Sequence, residues 1–199
     1  VLFRSTRPFC FDICSSMRLL SLDASTTTIG LAVFDYTNFS NVKMIHHEYY
    51  KPPKEGDIFE RLAQVRDFIY ARLDSFKPDN VALEDIILFM KGHSTAATVS
   101  ALAVLNRTVG LAIYNQSGKS PELLNVMKIR HALKTDNQLP AKEEIPDLVA
   151  YHLGIDFPWI LKEKGRGKRK EMKAIEENFD MADAMAVGLA YIKIKDVES

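Results

Sequence analysis

The sequence predicts an α/β domain on a mixed five-stranded sheet, and three observations carry that prediction. Three β-rich runs lie close together between residues 18 and 50, helical and strand-like segments then alternate, and the final apolar segment, "NFDMADAMAVGLAYI", has helical spacing.

The elements follow in order. "RLLSLDA" is a short apolar run ending in an acid, "IGLAVFD" follows the Ser/Thr-rich turn "STTT", and "VKMIHHEYY" comes third. Their spacing predicts that the first three strands form an antiparallel meander. "GDIFERLAQVRDFIYARLDSF" places Ile58, Leu62, Val65, Phe68, Ile69 and Leu73 on one helical face, and Lys77-Pro78-Asp79 ends it. "NVALEDI" is a short buried strand, again closing in acid. "TAATVSALAVLNRTVGLAIYNQ" is a long helix, apolar over more than one face, which predicts burial by the sheet on one side and by a second subunit on the other. "PELLNVM" is the fifth strand. "KIRHALK" and "AKEEIPDLVAYHLG" are helical, with Pro146 near a helix start, and "KEKGRGKRKEMK" reads as a charged, Gly-containing loop.

The 199 residues suit one domain, 47% hydrophobic and 26% charged, with a formal net charge of zero. That balance excludes a uniformly basic polyanion binder, so contact with nucleic acid has to come from local clusters. No continuous apolar run approaches the roughly 20 residues of a membrane span. Both cysteines, Cys10 and Cys14, lie in the first sixteen residues, so no disulfide holds the body, as in a reducing compartment. Residues 1–16 read as a non-native or disordered leader, with Met17 as the natural start and residues 17–199 as a single domain. The expected location is the cytoplasm of a bacterium or viral host, or an organellar matrix.

Asp23 closes the first strand, Glu84 closes the fourth, and Asp180 and Asp183 lie on one face where the last helix starts. In an α/β sheet such strand ends gather at one edge. Four carboxylates gathered there repel one another, at several kcal/mol for charges about 4 Å apart in a partly buried site. Hard cations such as Mg²⁺ resolve that repulsion, and two of them about 4 Å apart support phosphodiester hydrolysis. Each acid has an ordinary explanation: a helix cap and first-turn acid for Asp180 and Asp183, a turn residue for Asp23, a solvated strand end for Glu84. Three such placements in order, each flanked by apolar residues, outweigh those explanations.

"LLSLDASTTTIGLAVFD", "VALEDIILFMKGHSTAATVSALAVLNRTVGLAIY" and "NFDMADAMAVGLAYI" together resemble the RuvC family of Holliday-junction resolvases, within the RNase H-like superfamily. The resemblance runs from Arg18 to about Ile194. It implies an RNase H-like fold and a homodimer that binds a four-way DNA junction in recombination and repair. It also implies symmetric nicks that leave 5′-phosphate and 3′-hydroxyl ends, with Mg²⁺ (two ions, Mn²⁺ substituting). The family's acids fall on Asp23, Glu84, Asp180 and Asp183; the expected roles are Asp23 as the bridging ligand, with Glu84 and Asp183 or Asp180 each completing one ion's coordination. Its lysines fall on Lys128, a catalytic candidate, and Lys142, a DNA contact.

There are departures. Ala24-Ser25 stands where the family has Pro-Gly, and Ser25 and Thr26 are expected to offer hydroxyls and N–H groups to phosphate. The family's junction-wedging aromatic falls on Ile87, with Phe89 and Met90 just beyond, in a loop that also carries Lys91 and His93 as DNA contacts.

The segment from Lys162 to Lys173 sets Lys162, Lys164, Arg166, Lys168, Arg169, Lys170 and Lys173 against Glu163 and Glu171, a net of five positive charges. It predicts a clamp on the DNA backbone without sequence readout. Trp159 reads as an apolar anchor, and His131 and His152 as helix-surface residues. Two other functions compete. One is another RNase H-like nuclease, such as the YqgF-like RNA-processing group. The other is a fragment of an actin-like ATPase or sugar kinase, whose phosphate loop resembles "DASTTTIG".

Overall fold

Leu19, Leu20 and Leu22 are at most 1% exposed, so the first strand has apolar cover on both faces and belongs in the middle of the sheet. The computed structural model, which describes residues 16–86, 95–164 and 171–198, places it there. Strands β1 (Met17–Ala24), β2 (Ile29–Asn38) and β3 (Asn41–Tyr50) form the antiparallel meander. Helix α1 (Ile58–Phe76) then carries the chain back to β4 (Asn80–Glu84), and α2 (Ala96–Ser117) to β5 (Glu122–Leu124). Both of these strands run parallel to β1, giving the order β3-β2-β1-β4-β5. Helices α3 (Val126–Leu133) and α4 (Ile145–Leu153) follow, the latter entered through a 3₁₀ turn at Lys142–Glu144 with Pro146 in its first turn. The chain closes with α5 (Glu177–Glu198).

Two apolar layers cover the sheet. Leu20, Leu22, Leu31, Val33 and Leu83 pack against α1 and α2, while Leu19, Phe34 and Ala82 pack against α3, α4 and α5. Since side chains alternate along a strand, Ser21 and Asp23 share the α5 face with Leu19. Helix α1 is started by a capping box: Asp57 accepts from the Phe59 and Glu60 N–H groups, and Glu60 accepts from the Asp57 N–H.

The structure differs from the sequence reading in two places. The flanks of the predicted basic loop are strands, β6 (Leu161–Lys164) and β7 (Glu171–Ala174), paired as an antiparallel hairpin. All eight of these residues are exposed and the strands are four residues each, too short for a buried face to announce them. Their pairing is set from the base, where buried Asn178 bonds Ile160 N–H at 2.9 Å, Ile160 C=O at 2.9 Å and Ile175 C=O at 3.0 Å. Helix α2, although broken by polar residues, is long and apolar enough by length and composition alone to cross a membrane. One of its faces is docked, through Leu105, Val109, Ala112 and Ile113, on the sheet and α1.

Helix α5 lies unusually low on the sheet. The Ser21 hydroxyl donates to the Ala184 carbonyl at 2.7 Å, and a β-carbon on Gly188 would come within 2.8 Å of Ser21 Oγ and 2.9 Å of Phe34 Cδ2. Gly188→Ala is therefore expected to lower stability by about 1–3 kcal/mol through overpacking, despite alanine's better helix propensity. Urea unfolding measures this, and a loss below about 0.5 kcal/mol would mean that α5 is seated less closely.

Candidate metal centre

Asp23 and Glu84 are brought side by side by strand register. The parallel pairing aligns Leu22 with Leu83, and each acid is the next residue along. Glu84 is fixed from behind by α2: buried Asn106 donates its side-chain amide to the Glu84 carbonyl at 2.8 Å. The neighbouring Asp85 bonds the Leu124 carbonyl through its N–H at 2.9 Å and Arg107 through its carboxylate at 2.9 Å. Across the meander, Asp23 pairs with Gly30, and a β-carbon on Gly30 would collide with the backbone carbonyl of Asp180. The missing side chain at residue 30 thus admits the first turn of α5 over β1 and β2. Asp180 and Asp183 come in with it.

The four carboxyls share one field. Burial, then Glu84, Asp183 and Asp180 in that order, push Asp23 well above the usual carboxylate range. Burial and then Asp183 push Glu84 up to about 7. Burial also raises Asp183 and Asp180, the latter opposed by Lys142 and by a hydrogen bond from Thr28. Asp183 raises Asp23 more than Asp180 does, and it raises Glu84 as well.

Lys142 is the cation of this site. Its ammonium lies 3.3 Å from Asp183 and is felt by all four acids. Burial draws its pKa down, but Asp183, Asp23 and Asp180 together hold it above the ordinary lysine value. Arg130, which the sequence reading missed, lowers Glu84 and Asp183 as well. It sits on α3, two residues beyond Lys128. Lys128 lies on the exposed side of α3: its backbone N–H caps onto Asn125 at 2.8 Å, and its side chain meets no acid among the described residues. Ser25 is tied into its own turn. Its hydroxyl donates to the Thr28 carbonyl at 2.8 Å and accepts from the Thr28 N–H at 3.0 Å, so it shapes the turn. Thr26 lines the cleft beside the acids. His152 is no free surface group, since its Nε2 bonds the Leu133 carbonyl at 2.7 Å. Trp159 packs on Phe157 and Phe179, as an anchor would. The expectations for Ile87, Phe89, Lys91, His93, Arg166, Lys168, Arg169 and Lys170 lie outside the described residues.

Among the described residues no three His, Cys, Asp or Glu side chains are gathered tightly enough to grip an ion as they stand. The donor chemistry nevertheless fits a hard divalent cation. All four groups are carboxylates, they repel one another, and among the described residues Lys142 and Arg130 offset them in part.

No protein-family model matches the chain. In sequence it is similar to the crossover junction endodeoxyribonuclease RuvC of Frankia alni, 28% identical over 106 residues, which are 51% of this chain and 54% of that protein. It is similar also to RuvC of Mycobacterium avium, 26% identical over 51% of this chain and 56% of that one. The chain thus spans about half the length of the curated relatives it matches. In structure it resembles Thermus thermophilus RuvC in complex with a Holliday junction substrate, with a TM-score of 0.65, 20% identity and coverage of 91% of this chain and 96% of that one. The fold is that of RuvC. The yeast mitochondrial Holliday junction resolvase shares it at a TM-score of 0.58 and 16% identity, over 89% of this chain and 78% of that one. That fold accounts for the sheet order β3-β2-β1-β4-β5.

In a chelator, Asp23→Asn is expected to be more stable than the parent, by about 1 kcal/mol or more for each pKa unit of relieved repulsion. The sign follows from linkage. An acid whose folded pKa is raised weakens the fold as pH climbs from the ordinary carboxylate range through the raised value, about 7 for Glu84. Thermal melts at neutral pH check this. The stabilisation of the parent by added Mg²⁺ should be lost in Asp23→Asn.

Proposed function

We propose that the chain is a structure-selective DNA endonuclease that resolves four-way junctions by paired symmetric nicks. The observation that carries this reading is the partly buried convergence of Asp23, Glu84 and Asp183 at the open edge of a RuvC-type sheet, with Lys142 against them. Asp23, Glu84 and Asp183, assisted by Asp180, would hold the Mg²⁺ ions, with Asp23 assigned as the central ligand. Such ions activate a water and stabilise the leaving oxygen of a phosphodiester, and Mn²⁺ supplies the same chemistry. The protein's own groups do the rest. Lys142 exchanges Asp183 for the non-bridging oxygens of the scissile phosphate, and Arg130 holds down the net negative charge of the site. The β6–β7 hairpin presents Lys162 and Lys164 to the DNA backbone beside α5.

A four-way junction has two equivalent strands to cut, and two equivalent sites come from a two-fold dimer. The outer face of α2 supports one: Val104, Leu111 and Tyr114 are 47%, 59% and 53% exposed on a helix otherwise suited to burial. A second copy of the chain covers that face and accounts for the apolar length of α2. The setting is a compartment that holds DNA, such as the bacterial or viral-host cytoplasm.

Comparing four-way DNA junctions with duplex, flap and RNA substrates, with and without Mg²⁺, tests the reading. Paired symmetric nicks only in the Mg²⁺-containing junction reactions are expected, while equal cutting of linear duplex overturns the assignment. Asp23→Asn should abolish nicking yet leave junction binding within about twofold of the parent; residual nicking would remove Asp23 from the metal centre. Leu111→Glu should give a monomer by sedimentation, with single nicks replacing paired ones. A Leu111→Glu dimer places the interface elsewhere.

A further inference from the structure

Beside the acids lies a cleft of about 760 Å³ whose charges are sorted by origin. Glu176, Glu177 and Asp180 come from the start of α5, and Lys51, Lys54 and Arg61 from the corner where β3 turns into α1. Lys142 and Glu143 enter from a third side. Lys51 and Glu177 are paired across the cleft, so neither is left to bind a ligand alone. Arg61 is different. Its Nε donates to the Pro53 carbonyl at 2.6 Å, which fixes the plane of the guanidinium. Its terminal nitrogens meet no acceptor among the described residues, although the side chain is half-buried. The Thr26 hydroxyl lines the same cleft and is likewise without a partner among the described residues.

A guanidinium held along one edge and open along the other is organised in advance for bidentate contact with a phosphate. Retaining the β3–α1 loop needs only the Nε bond and explains neither the open edge nor the facing hydroxyl. The α5 side of the cleft is acidic and repels a bare phosphodiester, so a backbone approaching the metal centre is carried along the β3–α1 side. We propose that Arg61, with Thr26, binds a non-scissile phosphate of the strand being cut, and that this contact sets which linkage reaches Asp23. The inference rests on the nuclease reading above and adds a positioning subsite to it. Its ligand class is a DNA backbone phosphodiester.

The test uses four-way junctions carrying one neutral methylphosphonate linkage, moved one position at a time through the linkages flanking the cut. For the full-length parent, one linkage other than the scissile one should weaken junction binding by about tenfold or more when neutralised, as expected for a lost charge-assisted contact. In Arg61→Gln the same neutral linkage should cost less than about twofold, and cleavage should spread to the adjacent linkages. Thr26→Val, which leaves the Pro53 bond intact, should shrink the same penalty and decides the matter if Arg61→Gln does not fold. A methylphosphonate profile unchanged in both variants, with the cut position unmoved, overturns the subsite and returns Arg61 to holding the loop. A parent that neither binds nor nicks junctions fails the nuclease reading itself, and the subsite falls with it.

Discussion

Gly30 stands opposite Asp23 in the β1–β2 ladder, and the backbone of Asp180 occupies the place where a side chain at residue 30 would stand. The Ser21–Ala184 hydrogen bond and the contact of Gly188 with Phe34 hold α5 at that height further along the helix. Everything at the site depends on this close approach. The carboxylates of α5 are short, so a helix raised by even one methyl group would carry Asp183 away from Asp23 and Glu84. Ala182, Ala186 and Ala190, all at most 2% exposed, continue the low seat along the helix. Small side chains and acids in one segment are therefore parts of the same arrangement.

That approach has an electrostatic cost. Four acids are driven into a partly desolvated corner, each with a raised pKa and with too few cations to neutralise them. Two apolar layers, one on each face of the sheet, offset the cost, as does the anchoring of Glu84 by Asn106. Unfavourable local terms of this kind persist only where the surroundings over-determine them, and they mark sites kept for chemistry rather than for stability.

The strands and the order of the acids were legible in the sequence because both are local. Alternation and apolar runs reveal β1, β2 and β4, and an acid after each buried run is visible without any tertiary information. Gly30, Ser21 and Asn106 were not legible, since their significance lies in partners up to 163 positions away. Lys128 was chosen for following the fifth strand and is exposed on α3, while Arg130, two residues on, is partly buried and lowers the pKa of Asp183. Lys142 was seen as a DNA contact, and its bond to Asp183 needed the 3₁₀ turn that brings the α4 entry over the sheet edge. The β6–β7 hairpin escaped because its strands are only four residues long, largely charged and exposed throughout.

The foot of that hairpin has a mechanical consequence for the site. Asn178, fully buried, joins Ile160 before β6 to Ile175 after β7, and it lies two residues before Asp180. The Ile175 N–H adds a bond to the Ile160 carbonyl at 3.1 Å. Hairpin base and first turn of α5 are thus one hydrogen-bonded unit, and any load on the hairpin passes directly to Asp180 and Asp183. A basic arm swinging freely would raise local DNA concentration without orienting it. On the proposed nuclease reading, an arm rooted in the helix that carries two of the acids would instead tie the position of bound backbone to that of the carboxylates, which a reaction sensitive to ångström misplacement requires.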